Sequence, residues 1–325
     1  MEHHLATNFE IDAVIPWVDG SDENHINKLN QYVENKSSLN MKGFLTRFNE
    51  VNEIEYCIKS IKKFAPYIRN IYVVTDEQTP SFLKDPKKSE KYPNVKIIDH
   101  KDIFKGYESY LPVFNSNSIE VMVSRIPGLA EHFIYFNDDV FLIDDTKSTD
   151  FFTEEGLPVI RGRWATYEST KFKDFLKEVG LKKKRVSKLG YKKGQENSAK
   201  ILGFKKYIRL SHTACPIRKS TVNNYFDKHP EVLIGNIKSR FRIPTYFMIQ
   251  SHATHLEIIN KSLELKKDYK LIHFGSSDKP LAWIKFKFAS QERNKNKLFL
   301  NIQSLDLYPT QKQNYILNWL DKLLA

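Results

Sequence analysis

Apolar residues fall in short runs between polar stretches, and the spacing inside each run predicts its form. Ile11-Asp12-Ala13-Val14-Ile15-Pro16-Trp17-Val18 reads as a strand whose later part Pro16 weakens. Over residues 53–65 the apolar positions are Ile54, Cys57, Ile58, Ile61, Phe64 and Ala65. That is helical spacing, begun by Asn49 or Asn52 as a cap and stopped before Pro66. Residues 71–75 and 95–98 read as buried strands, and 118–125 as a helix halted by Pro127-Gly128. Phe133-Ile134-Tyr135-Phe136 reads as a further strand. Strands alternating with helices predict an α/β fold with a mostly parallel sheet flanked by helices.

Each of these strands runs into acidic or polar residues: Asp19, Asp76, Asp99-His100 and Asn137-Asp138-Asp139. One acid after a strand is common turn chemistry. Four in succession predict a polar cleft, because ligands of open α/β sheets bind at the carboxyl ends of the strands. Residues 171–206 are lysine-rich, with Lys182-Lys183-Lys184-Arg185, Lys192-Lys193 and scattered glycines. They read as a mobile or loosely helical insertion bordering that cleft. Helical spacing returns at 314–324 with Ile316, Leu317, Leu320, Leu323 and Leu324.

Composition narrows the class. The chain has 325 residues, 41% of them hydrophobic, enough for a sizeable core and for two coupled lobes. The expected division is a ligand-binding α/β core over 1–150 and a basic, more helical part over 151–325 that completes the site within one catalytic unit. The net charge of +12 is uneven: residues 1–150 hold 17 basic and 24 acidic side chains, residues 151–325 hold 34 and 15. The first half can supply carboxylates to a metal, and the second can attract phosphates or acidic glycans. Cys57 and Cys215 form no disulfide framework and no cysteine zinc site, which fits a reducing cytoplasm. The opening residues do not read as a secretory leader, and no run approaches the ~20 apolar residues of a membrane span. Membrane contact is therefore expected to be peripheral, at the inner face.

Several segments carry candidate chemistry. Asp138-Asp139, between two apolar runs, can hold a hard divalent cation on phosphates, or can form a tight turn. After the first strand, Asp19 and Gly20 can seat a ribose or base and Trp17 can stack on it; the same residues suit an ordinary turn. His212 stands among small and apolar residues, as a general base or as a structural histidine. Arg240 and Arg242 offer two guanidinium groups suited to phosphate, or mark a surface strand.

Taken together and in order, these segments resemble the Stealth family. The first block is residues 11–22. The second opens with Arg47-Phe48-Asn49-Glu50, runs through Asp76 and Asp99, and continues with Leu111-Pro112-Val113-Phe114-Asn115-Ser116 and Ile119-Glu120. It closes on Asn137-Asp138-Asp139. A weaker third block covers His212 to Ser220 and Arg240-Phe241-Arg242, and a faint fourth covers residues 298–303. Pro16 departs from the family's usual Thr, and Ile243-Pro244-Thr245-Tyr246 lacks a frequent acid.

The family includes bacterial capsule polymerases and the animal lysosomal-enzyme N-acetylglucosamine-1-phosphotransferase. The resemblance implies a nucleotide-sugar-transferase-like (GT-A-like) fold. It also implies transfer of a hexose-1-phosphate or N-acetylhexosamine-1-phosphate from a UDP-sugar to a glycan hydroxyl, lipid-linked in some cases, with release of UMP. The implied roles are His212 as the preferred base and Asp138 and Asp139 either on Mg²⁺ or Mn²⁺ or orienting the nucleophile. Arg47, Arg240 and Arg242 would hold phosphate, and Asp19, Gly20, Asn115 and Asn137 would line the donor site. The rival readings are an ordinary glycosyltransferase releasing UDP and, more remotely, a nucleic-acid binder, for which no binding signature is present.

Overall fold

The computed structural model describes residues 8–33, 51–167 and 190–325. Arg47, Asn49 and the Lys182-Lys183-Lys184-Arg185 run lie outside the described residues.

A five-stranded sheet organises the molecule, in the order β3-β2-β1-β4-β8. Its strands are β1 (Ile11–Pro16), β2 (Ile68–Thr75), β3 (Val95–Asp99), β4 (His132–Tyr135) and β8 (Cys215–Arg218). The first four run parallel, and β8 runs antiparallel to β4. A second sheet joins β5 (Val140–Leu142), β11 (Phe299–Ile302) and β10 (Leu271–Phe274). A third joins β7 (Lys206–Leu210), β6 (Val159–Thr166) and β9 (Glu264–Lys266). The α/β, mostly parallel arrangement matches the sequence reading.

Period-2 alternation divides the core between the faces of the main sheet. Ile11, Ala13 and Ile15 of β1 face a cluster with the helix Glu53–Phe64 and the C-terminal helices Leu281–Asn294 and Thr310–Leu324. Val14 faces the other way, with Tyr72, Val74, Phe133 and Tyr135, toward the helices Lys219–Lys228, Pro230–Ile237 and Ile249–Ile259. Helix Glu53–Phe64 buries Ile54, Cys57, Ile58, Ile61 and Phe64, the stripe that the spacing predicts. Each large member contributes about 1.5–3 kcal/mol.

Local expectations were corrected in several places. Strand β1 ends at Pro16, where a missing N–H no longer interrupts a ladder, and Trp17 is 5% exposed in the core, so it cannot stack on a ligand. Asn52 takes the cap position in a left-handed conformation without a side-chain cap bond. Strand β3 is an edge, with Lys96 and Ile97 exposed, rather than a buried strand. The stretch 118–125 splits into a short helix Ser116–Glu120 and a 3-10 turn Val123–Arg125. Gly128 then takes a φ of +76, which an L side chain rarely adopts. Residues Tyr191–Ile201, read as mobile or loosely helical, form a packed helix whose Gly194, Gln195, Glu196, Ser198 and Ala199 are buried. Among the described residues the second half is richer in helix, as expected, and also supplies six strands that its pattern did not announce.

Candidate active site

The register of three strand pairs builds one site at the carboxyl edge of the main sheet. Parallel β4 ends at Tyr135, and Asn137, Asp138 and Asp139 follow, half-buried. Because β8 is antiparallel, Cys215 pairs with Tyr135 and the approach 211–214 reaches that same edge, carrying His212. In the second sheet Asn301 of β11 pairs with Val140 of β5, and His273 of β10 pairs with Asn301. These pairings place Asn301 beside Asp139: its Nδ2 donates to the Asp139 carbonyl at 3.1 Å. His273 Nδ1 lies 2.8 Å from Asn301 Oδ1. The His273 ring stacks on His212 at 5.2 Å between centroids, and Tyr191 covers the other face of His212 at 4.0 Å. Gln303 Nε2 stands 3.3 Å from His212 Nε2.

Loss of hydration raises the Asp138 carboxyl to about 6, against two backbone N–H groups that favour its charged form. Asp139 is raised to about 7, by lost hydration first and by the neighbouring Asp138 second; the Asn301 amide opposes this. Its Oδ1 is buried without a hydrogen-bond partner among the described residues. His212 is lowered to about 4, by lost hydration and then by His273. The ligand-free cleft therefore holds its imidazole neutral and discourages charge on its carboxylates.

Arg242 reaches toward the cleft from the other side, whereas Arg240 turns to Tyr32 and the Leu111 carbonyl. Phe114 N donates to the Arg240 carbonyl at 2.8 Å, and Phe241 stacks on Phe114 at 5.5 Å, so 240–242 runs alongside 114–116. Arg242 Nη2 donates to Ser116 Oγ at 2.6 Å. Arg240 lies over the Tyr32 ring at 4.6 Å, and its Nε is buried without a partner among the described residues. Between Arg242 and Tyr135 lies Glu120, 6% exposed. Burial raises its pKa; the Arg242 charge opposes this, as do bonds from Gln250, Ser116 and Tyr135. Its Oε2 is without a partner among the described residues. The Tyr135 hydroxyl, shared with Glu120, also lies 3.1 Å from Asn137 Oδ1, which links Glu120 to the segment carrying the acidic pair. A void of about 20 Å³, room for about one water, lies among Tyr135, Asn137, Tyr191, Ser211 and Gln250.

The remaining strand-end acids divide. Asp19 is half-exposed; its Oδ1 accepts from Ser21 N at 2.9 Å and Oγ at 2.6 Å, and Gln78 clamps its backbone through both amide atoms. Gly20 lacks the positive φ that would demand glycine. Asp76 pairs with Lys28 at 3.1 Å. Asp99 caps the turn after β3 and accepts from Glu77 N at 2.7 Å, so both are taken up internally. Asn115 is fully buried: it caps Ser116–Glu120 and donates to Ser118 Oγ at 3.1 Å, which shapes the Arg242 side of the cleft from beneath.

Sequence reasoning did not single out Glu120, Tyr191 or His273. For Glu120 the available signal was an acid leading into Val121-Met122-Val123, and for His273 a polar residue inside Leu271-Ile272-His273-Phe274. Among the described residues no three His, Cys, Asp or Glu side chains converge as a metal cage. No helix among them is long and apolar enough to cross a membrane.

Known proteins match this chain along most of its length. Residues 9–37 match the family model described as Stealth protein CR1, conserved region 1, and residues 47–160 match CR2, conserved region 2. The exopolysaccharide phosphotransferase cps2G of Lactiplantibacillus plantarum is 43% identical over 46% of this chain and 41% of its own length. The capsular polysaccharide phosphotransferase LcbA of Neisseria meningitidis is 33% identical over 74% of this chain and 62% of its own. The receptor polysaccharide phosphotransferase WefC of Streptococcus oralis is 34% identical over 73% of this chain and 74% of its own. The chain thus spans only part of the length of several of these relatives. Among solved structures, the bifunctional glycosyltransferase WbbM matches at TM-score 0.44 and 12% identity, over 98% of this chain and 50% of its own. The galactosyltransferase LgtC matches at 0.41 and 10%, over 96% and 95%. Likeness at that level carries no functional argument.

Proposed function

The chain belongs to the Stealth family, and on that premise we propose that it is a sugar-1-phosphate transferase of capsule or exopolysaccharide synthesis. It takes a hexose-1-phosphate or N-acetylhexosamine-1-phosphate from a UDP-sugar, passes it to a glycan hydroxyl and releases UMP. The observation that carries the reading is convergence: Asp138-Asp139, His212 and Arg242 come from distant parts of the chain and meet through Glu120, Tyr135 and Asn137 on one side, Asn301 and His273 on the other.

In this reading the acceptor oxygen attacks the sugar-proximal phosphorus, and the bond from that phosphorus to the bridging oxygen breaks. UMP leaves with the electron pair, and the acceptor's proton passes to a ring nitrogen of His212. His212 is neutral in the free cleft and available as a base. The donor's phosphate charge beside the ring raises its proton affinity when the base is needed. Arg240 and Arg242, with Arg47, hold phosphate oxygens. Glu120 fixes Arg242, and Asp19, Gly20 and Asn137 seat the nucleotide end. Catalysis is then positioning and charge neutralisation.

Asp138 and Asp139 suit Mg²⁺ or Mn²⁺, because two adjacent hydration-poor carboxylates, one oxygen without a partner, gain most from a cation. Phosphate oxygens and water supply the other ligands of such a site. Bound there, the cation supplies neutralisation of the charge developing on the phosphates.

The test is incubation with a panel of UDP-sugars and an acceptor glycan, following the nucleotide by chromatography. UMP is expected. UDP overturns the reading in favour of ordinary glycosyl transfer. A lipid-linked acceptor and peripheral placement on the inner face of the membrane belong to this proposal, and flotation of the protein with acceptor-bearing vesicles checks them.

A further inference from the structure

An open groove of about 240 Å³ lies behind the active site, along the outer edge of β10. His273 belongs to both: it lines the groove, and its ring stacks on His212. The rest of the lining includes Trp283, Lys287, Ser290, Asn296 and Lys297. The groove is a built feature. Gln291, 4% exposed, grips the Lys297 backbone with both amide atoms, at 2.9 and 3.1 Å. Trp283 packs edge-on against buried Phe274 at 5.4 Å. The Nζ atoms of Lys279 and Lys287 stand 5.5 and 5.3 Å from the Trp283 ring centroid.

The charge there is one-sided. Residues 267–297 carry eight basic and three acidic side chains. Asp268 is engaged by Arg161 and Glu292 accepts from Trp319 Nε1. Among the described residues no carboxylate pairs with Lys287 or Lys297. An aromatic ring flanked by ammonium groups, with a hydroxyl and an amide beside it, matches a pyranose next to an anionic group.

We propose that this groove seats the acceptor glycan behind its reacting end: Trp283 carries a sugar ring, and Lys287 and Lys297 carry the neighbouring phosphodiester. The choice of ligand rests on the sugar-1-phosphate reading, since only that reaction leaves phosphodiesters along the product. An acceptor lying here leads past His273 to His212, and repeated transfer lengthens the chain through the groove.

The test measures binding directly, without donor or metal. The indole N–H resonances of the protein's 4 tryptophans are followed by NMR, with Trp283→Phe assigning the one in question. The probes are a synthetic glucose tetrasaccharide joined by phosphodiesters and the same tetrasaccharide joined glycosidically. The Trp283 signal is expected to shift with the phosphodiester probe at about ten-fold lower concentration than with the neutral one. Lys287→Gln and Lys297→Gln should each weaken that binding about ten-fold and leave the other indoles in place. Equal response to both probes, or none at Trp283, overturns the proposal. A Lys287-dependent response to phosphatidylglycerol vesicles alone overturns it in favour of a lipid surface. If the phosphodiester probe binds but the reaction releases UDP, the groove stands and the reaction reading falls; UMP release with an unresponsive Trp283 has the opposite meaning.

Discussion

The two ends of the main sheet each hold acidic side chains in poorly hydrated surroundings, and the protein treats them in opposite ways. At the amino end, Asp12 is fully buried. Arg69 meets it from two nitrogens at 2.9 and 2.6 Å, and backbone N–H groups of Asn70 and Ala130 donate at 3.1 and 2.7 Å. At the carboxyl end, Asp138 and Asp139 have no cation beside them among the described residues, and Asp139 Oδ1 has no partner. A carboxylate that holds the fold together is surrounded by donors. In the proposed role, carboxylates kept for a ligand have fewer of them, at a cost in stability that binding would remove.

The largest effects come from breaking this contrast outright. Asp138→Asn and Asp139→Asn should each lower turnover by about 10³-fold or more, since cation-mediated neutralisation is worth several kcal/mol. EDTA should silence the wild type, and full activity in EDTA removes the metal role. Asp12→Ala should instead destabilise by about 3–5 kcal/mol, read from denaturant unfolding, because it strips a buried partner from Arg69 and two backbone donors. If Asp12→Ala unfolds no more easily than Asp138→Asn, the two ends are not different in kind.

His212→Gln comes next, with a loss in kcat of about 10²–10⁴-fold and little change in donor binding. Burial and His273 hold His212 near 4 in the free protein. An acid limb of kcat/KM due to His212 therefore belongs near pH 4, below the ordinary 6.5. A limb near 6–7 that survives in His212→Gln assigns it to the acidic pair instead. Glu120→Gln is expected to be milder. It removes the charge facing Arg242, so donor KM should rise about ten-fold or more while kcat moves less. Glu120→Asp should recover part of that loss, and a kcat defect alone indicates a different role.

The smallest effect is on stability. Asp138 and Asp139 titrate higher in the folded chain than in the unfolded one. Their contribution to stability falls as pH rises from about 4 and is fully lost above about 7. Asp139→Asn lacks this dependence, so its Tm should exceed that of the wild type at pH 8 and approach it near pH 4. A lower Tm at pH 8 shows that the carboxylate is better solvated than its raised pKa implies.

The sequence by itself determined the apolar stripe of Glu53–Phe64, the strands β1, β2 and β4, and the acids that end them, because these depend on local periodicity and turn chemistry. The same local signal could not separate Asp76 and Asp99, taken up by Lys28 and by a cap, from Asp138 and Asp139. All four read as an acid after a strand, and only their spatial neighbours differ. Trp17 went astray for the same reason: its burial depends on what packs over the loop. No pattern along the chain gave His273, Asn301 or Glu120 a role, although Glu120 and Asn301 stand within the family blocks. They join the site through the pairing of β10, β11 and β5 and through the return of 240–242 beside 114–116. Apart from the β10–β11 pairing, whose partners are 28 positions apart, those contacts link residues more than 100 positions apart, and their register is set by packing across the whole molecule.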